Sequence, residues 1–188
     1  VSGGSTAGRR GATKAAIAAM PDGCAQIIAR GTDGAMCHCI RRADGTWTGC
    51  ERLAGYNGAP AFSGPDLAIT GLPDGSSQVP AIGLDGMVYH RVRRPDGTWT
   101  GFRPPRGMNT PALGARAVDV AGMPDGSAQV VAVGRDGRAW HDTRRPDGSW
   151  TGFARIPGPN GRDAFSAGQV HITAPRDGTA HVAAISAG

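Results

Sequence analysis

Lysine and glutamate are almost missing from this 188-residue chain: Lys14 and Glu51 are the only ones. Charge is carried by 19 arginines and 14 aspartates as well, for a net charge of +5. Large apolar residues are scarce too. Leu, Ile, Val and Phe together make 29 residues, or 15%, a share that by itself belongs to disordered chains. No apolar run approaches 18 residues, so a helical membrane span is excluded. Gly or Pro interrupts every stretch long enough for a helical bundle. There is no G-x-S-x-G elbow, no H-E-x-x-H and no C-x-x-C, which removes common signatures of hydrolases and zinc sites. The sequence opens with neither Met nor an apolar leader core, as expected where a signal peptide has been removed.

What the chain has instead is glycine and proline, 45 residues or 24%, about twice the usual share. Their placement is periodic, and this opposes disorder. Ten of the aspartates stand in Asp-Gly pairs, the strongest short hairpin-turn signal. Within a unit these pairs fall 11 residues apart, at Asp22, Asp33 and Asp44, then Asp74, Asp85 and Asp96, then Asp125, Asp136 and Asp147. A fourth unit starts at Asp177, and equivalent positions lie 51–52 residues apart. A period of that length marks a solenoid, propeller or array.

Each unit resolves into four short strands, here called a to d; in the second unit they are expected at 67–72, 77–82, 87–93 and 98–102. Four antiparallel strands in about 50 residues is the pattern of a β-propeller blade. A single blade buries its faces only against its neighbours. The predicted fold is all-β: a propeller of four-stranded antiparallel blades with about 3.5 blades in this chain. Residues 1–14 are expected to be a linker, and the repeats to span about 15–57, 66–106, 117–158 and a partial 169–188. An open arc would expose sheet edges, so a second chain or further sequence is expected to complete the ring.

The repeat resembles that of the PLL-like seven-bladed propeller lectins and, more distantly, tectonin repeats. The resemblance rests on the b strand, on Asp-Gly-x-x-x-His in strand c (His38, His90, His141), and on Asp-Gly-Thr/Ser-Trp-Thr-Gly of strand d (Trp47, Trp99, Trp150). It implies sugar binding, L-fucose among the ligands, in pockets between adjacent blades. It also implies a setting like that of secreted actinobacterial proteins, including lectin subunits of toxin particles. Three complete units and half of a fourth depart from a seven-bladed ring. Two chains would supply six full units and two halves, but both halves are of the a–b type.

A sugar pocket pairs an aromatic face with planar hydrogen-bonding groups. Trp47, Trp99 and Trp150 are the aromatic candidates, and each either stacks on sugar or anchors one blade against the next. His38, His90 and His141 recur on strand c, as pocket groups or as hydrogen-bonded structural residues. Arg42, Arg94 and Arg145 precede the c–d turns and offer forked donors, or else stay solvated or pair with turn aspartates. Gln26, Gln78 and Gln129 recur on strand b, with His181 at the matching place in the partial unit.

Catalysis is not expected. Only Asp66, Asp119, Asp142, Asp163 and Glu51 lie outside Asp-Gly turns, and none forms a recurring pair of the kind glycoside hydrolysis requires. The three-residue step from Asp44 to Trp47 also differs from the five-residue spacing of sialidase Asp boxes. Neither a metal nor another cofactor is expected: Cys37, His38 and Cys39 are adjacent on one strand and alternate between faces. A pI near 9.6 suggests nucleic acid, but the arginines are spread through the repeats rather than clustered.

All four cysteines lie in the first unit. If Asp44-Gly45 is a two-residue turn, counting outward brings Cys39 opposite Cys50, the favoured bridge. Cys24 and Cys37 are then left over, far apart along the b–c ladder, and three connectivities stay open. An even cysteine count in a small β protein points to an oxidising, extracellular setting. The expected function is thus a secreted lectin recognising cell-surface glycans, as a homodimer or part of a larger secreted assembly. Neither a nucleic-acid partner nor membrane insertion is expected. A protein–protein interaction scaffold, or the targeting subunit of a secreted toxin assembly, is the alternative.

Overall fold

A computed structural model describes residues 11–106, 112–158, 161 and 165–186. Most of the expected linker, residues 1–10, lies outside the described residues, as do Asp163 and the last two residues. The first sheet contains β1 (Ala12–Ala19), β2 (Ala25–Gly31), β3 (Met36–Arg41) and β4 (Glu51–Arg52) in that spatial order. The second contains β5 (Asp66–Leu67) and β6 (Thr70–Gly71), which together form one interrupted edge, then β7 (Ser77–Ile82) and β8 (Val88–Arg93). Its outer strand shrinks to a single bridge between His90 and Arg103. The third holds β9 (Ala115–Gly122), β10 (Ala128–Gly134), β11 (Ala139–Arg144) and β12 (Ala154–Arg155). A last pair, β13 (Gln169–Thr173) and β14 (His181–Ile185), is half a sheet. All pairings are antiparallel, and the chain is a partial β-propeller: three four-stranded blades and the inner half of a fourth.

The Asp-Gly turns set this pattern. In all ten, the aspartate Oδ1 accepts the backbone N–H two residues on, at 2.8–3.1 Å. Only the glycine takes positive φ, for example 86° at Gly45. The ring closes with Gly45 N–H donating to Arg42 O at 2.9 Å and Arg42 N–H to Thr46 O at 2.8 Å. This is a three-residue loop with a glycine bulge, not the two-residue turn expected from the sequence. The extra residue is compensated further out. Arg41 bridges Trp47, whereas His38 pairs with Glu51, so the register slips by one around Thr48 and Gly49. The two shifts together bring Cys39 opposite Cys50, where the disulfide forms. Cys24 and Cys37 remain thiols; Cys37 pairs with Ala29 and Arg52, well along the ladder from Cys24.

Three apolar clusters fill the gaps between blades. Ile28, Met36, Leu53 and Phe62 of the first blade meet Leu67, Val79, Tyr89 and Phe102 of the second. Ile82 and Val88 of the second meet Val118, Val130 and Phe153 of the third. Val131, Val133 and Ala139 meet Val170, Ile172 and Ala184. The core is thus layered between sheets, which lets few large residues suffice. The innermost strands are also stitched across blades. Asp66 accepts the N–H of Val118 at 2.9 Å, and Asp119 that of Ile172 at 3.0 Å. Lys14 pairs with Asp66 from the other side. A cleft of about 530 Å3 runs along these inner strands.

Candidate functional site

The repeated polar residues converge where one blade meets the next. The His38 ring stands edge-on to Trp99 with centroids 5.0 Å apart, and His90 meets Trp150 in the same way at 4.9 Å. In each case strand c of one blade supplies the imidazole, and the turn before strand d of the following blade supplies the indole. The strand-b glutamine lies beside the imidazole. His38 Nε2 bonds to Gln26 Oε1, and His141 Nε2 sits 2.6 Å from Gln129 Oε1. In the middle blade the pair is uncoupled: His90 Nε2 and Gln78 Oε1 are both buried without a hydrogen-bond partner. The Gln78 amide turns to the Ser76 hydroxyl at 3.3 Å.

Burial dominates the electrostatics. It drops the His38 pKa to about 4, helped by the nearby Arg93 and Arg91 guanidinium groups. It drops His90 to about 3, with Arg144 adding to the effect. His141 is lowered as well by burial, against a smaller upward pull from Asp142. At neutral pH these imidazoles are uncharged, so each serves as one donor and one acceptor.

Arg42, Arg94 and Arg145 are exposed and turn back on their own loops, donating to Thr46, Thr98 and Ser149 hydroxyls at 3.2–3.4 Å. Adjacent strand residues point to opposite faces, and it is Arg93 and Arg144, the preceding member of each pair, whose charge lowers the pKa of His38 and His90 of the neighbouring blade. Arg91 is a further junction residue that no repeat pattern marks, because its counterparts are Cys39 and Asp142. Its guanidinium lies 4.4 Å from the Trp99 ring centroid and 5.0 Å from that of Phe102. Burial lowers its pKa to about 10.

The end blades hold incomplete versions of this junction. Trp47 is 57% exposed, with no ring or cation contact among the described residues. At the other end, Gln129 and His141 floor an open pocket of about 410 Å3 with Met123, Arg155, Ile156 and Val182. His181 is exposed on β14 and lies 3.4 Å from Thr179 Oγ1.

The carboxylates outside the turns have structural work. Besides the bonds of Asp66 and Asp119, Asp142 Oδ1 accepts from the Thr151 hydroxyl and the Gly152 N–H, both at 2.8 Å. Glu51 is exposed at the blade rim. Among the described residues no group of three His, Cys, Asp or Glu is placed to hold a metal ion. No helix of the described residues is long and apolar enough to cross a membrane.

Solved structures share this architecture. The fucose-specific lectin from Aleuria aurantia superposes with a TM-score of 0.58 at 14% identity, over 92% of this chain and 55% of that one. The BP39L lectin from Burkholderia pseudomallei gives 0.54 at 20% identity, over 72% of this chain and 39% of that one. The Hadza microbial sialidase Hz136 gives 0.53 at 14% identity, over 85% and 36%. The chain thus spans about half or less of the length of these proteins, and at such identities the likeness is one of fold. No family model matches the chain, and neither does any curated protein.

Proposed function

We propose that the chain is a carbohydrate-binding lectin that recognises cell-surface glycans at the junctions between blades, without chemistry. The observation that carries this reading is the repeated junction. A half-buried indole stands edge-on to the neutral imidazole of the preceding blade, Trp99 to His38 and Trp150 to His90, and at Trp99 the Arg91 guanidinium lies 4.4 Å from the ring centroid. An aromatic face and fixed donors are what a sugar ring with equatorial and axial hydroxyls requires. The architecture shared with two lectins supports the same reading, and a fucose-like ligand fits both that likeness and the PLL-like character of the repeat. The blades are the units at about 15–57, 66–106 and 117–158, with 169–188 opening a fourth. The disulfide fits a secreted protein, working in a homodimer or larger assembly whose several weak sites gain avidity on a multivalent surface.

The second reading is a protein–protein scaffold, or the targeting subunit of a secreted toxin assembly. The apolar residues exposed at both ends favour it: Ile17 at 66%, Val182 at 41% and Ile185 at 59%. Titration with methyl-α-L-fucoside, galactosides and mannosides, read by tryptophan fluorescence, separates the two. Saturable binding that Arg93→Ala and Arg144→Ala weaken supports the lectin. No response to any sugar, from a chain shown to be folded, assigns it to the scaffold class.

A further inference from the structure

Charge is divided unevenly between the two rims of the blades. On the rim of the a–b and c–d turns, each full blade carries two turn aspartates and one arginine pair, so charge there balances. The rim of the b–c turns differs. Each b–c turn has one aspartate: Asp33, Asp85 and Asp136. Arg52 pairs with Asp33 at 2.5 Å and Arg155 with Asp136 at 3.1 Å, while Asp85 accepts from the Tyr89 hydroxyl at 2.8 Å. Three further guanidiniums, those of Arg30, Arg116 and Arg135, stand on this rim with no ion pair among the described residues.

Each of the three lies across a seam between blades, where the chain entering the next blade passes a b–c turn. There the N–H groups of Gly64, Ala115 and Ala167 donate to the carbonyls of Gly34, Gly86 and Gly137 at 3.4, 2.8 and 2.9 Å. Arg30 Nε donates to Gly64 O at 2.8 Å, Arg116 Nη2 to Ala167 O at 2.8 Å, and Arg135 Nη2 to Asp85 O. The three arginines come from different places in the repeat, yet each seam receives one. A backbone carbonyl fixes each guanidinium without neutralising it. Arg116 and Arg135 are exposed, and a guanidinium has five donors, so most of their N–H groups are left to a ligand.

We propose that this rim binds an acidic polysaccharide, whose sulfates or carboxylates bridge the guanidiniums at successive seams. Forked guanidinium donors match such oxyanions, and a row of them suits a polymer that repeats its charge. The surface lies at the other end of the blades from the c–d turns that carry Trp99 and Trp150, and it does not require the junctions to bind sugar. The aromatic rings nearest this rim are already held, Tyr89 by Asp85, and Trp140 by Asp136 and by Arg155 at 5.1 Å from the ring centroid. Among the described residues the rim therefore offers no free ring for the base stacking that single-stranded nucleic acid favours.

The test uses the whole chain over immobilised heparin, polygalacturonate, dextran and poly(dT), at about 0.15 M NaCl and above. Saturable binding to heparin or polygalacturonate but not to dextran is expected, weakening as salt rises and indifferent to free methyl-α-L-fucoside. Arg116→Gln with Arg135→Gln should weaken it at least about tenfold, and Arg176→Gln, on the balanced rim, should leave it unchanged. If the double variant fails to fold, Leu84→Glu decides: Leu84 is 81% exposed at the tip of the second b–c turn, and the change brings negative charge to the rim without removing a seam bond. No binding to either acidic polymer at about 0.15 M NaCl, binding that neither rim variant weakens, or equal loss with Arg176→Gln would overturn the proposal. Competition by the fucoside would assign the polymer to the junctions, and tighter binding of poly(dT) would assign the rim to nucleic acid; either result also overturns it.

Discussion

The three equivalent tryptophans should respond very differently to truncation. Trp99 packs edge-on against His38 and lies under Arg91 at 4.4 Å; Trp150 has the His90 contact; Trp47 has neither. Replacing a buried aromatic by Ala costs about 3–5 kcal/mol, and half burial reduces this to roughly 2–3 kcal/mol for Trp99 and Trp150. An aromatic pair and a cation–π contact each add about 1 kcal/mol, so Trp99→Ala should cost the most and Trp150→Ala somewhat less. Trp47→Ala should stay within about 0.5 kcal/mol of the parent, as exposed sites do. Urea unfolding followed by far-UV circular dichroism measures all three, since fluorescence would change with the residue itself. If Trp47→Ala destabilises as much as Trp99→Ala, the blade-to-blade role assigned to the inner two tryptophans is wrong.

Acid should weaken the fold before the carboxylates titrate. His38 and His90 are held at about 4 and about 3 when folded, against an ordinary 6.5. Between these values the unfolded chain binds more protons, so stability is full above pH 6.5 and falls as pH drops toward 4, by up to about 1.4 kcal/mol per pH unit for each fully buried imidazole. Urea midpoints from pH 7.5 to 4.5 should fall, and His90→Gln should flatten the slope; an unchanged slope would refute the assignment. Below pH 4 the turn aspartates Asp44, Asp96 and Asp147, depressed chiefly by their bonds to Thr46, Thr98 and Ser149, lose their contribution in turn. Cys39→Ser with Cys50→Ser should cost on the order of 3 kcal/mol by the entropy of an 11-residue separation, seen as a lower melting temperature that reducing agent does not lower further. Asp119→Ala removes the acceptor of the Ile172 N–H at 3.0 Å and should speed exchange of β13 amides while leaving those of β2 unchanged.

The repeat, the four-strand unit and the Asp-Gly turns were legible because they are local: turn chemistry and alternation act within about ten residues. What lies between blades was not. Asp66 and Asp119 looked like spare carboxylates, yet each binds a backbone N–H more than fifty residues away. The arginine pairs illustrate the same limit. Composition marks Arg93 and Arg94 equally, yet only Arg93 acts electrostatically on the imidazole of the preceding blade, while Arg94 bonds to Thr98 of its own turn. The register of the first c–d hairpin is instructive in another way. The three-residue loop and the slip near Thr48 offset each other, so a simple outward count from Asp44 lands on the observed Cys39–Cys50 pair although its premise about the turn does not hold. Finally, Cys37 and Cys50 stand where Tyr89 and Phe102 fill the first junction, so the first blade's outer face carries less aromatic surface than its counterparts.

The central claim is that the junctions bind sugar. Its most direct test is a glycan array with the labelled, folded and oxidised chain, including fucosylated and O-methylated sugars. The account predicts a hit that free monosaccharide competes away and that Trp99→Phe or Arg93→Ala weakens. A blank array, or a hit indifferent to both substitutions and to the free sugar, would contradict it.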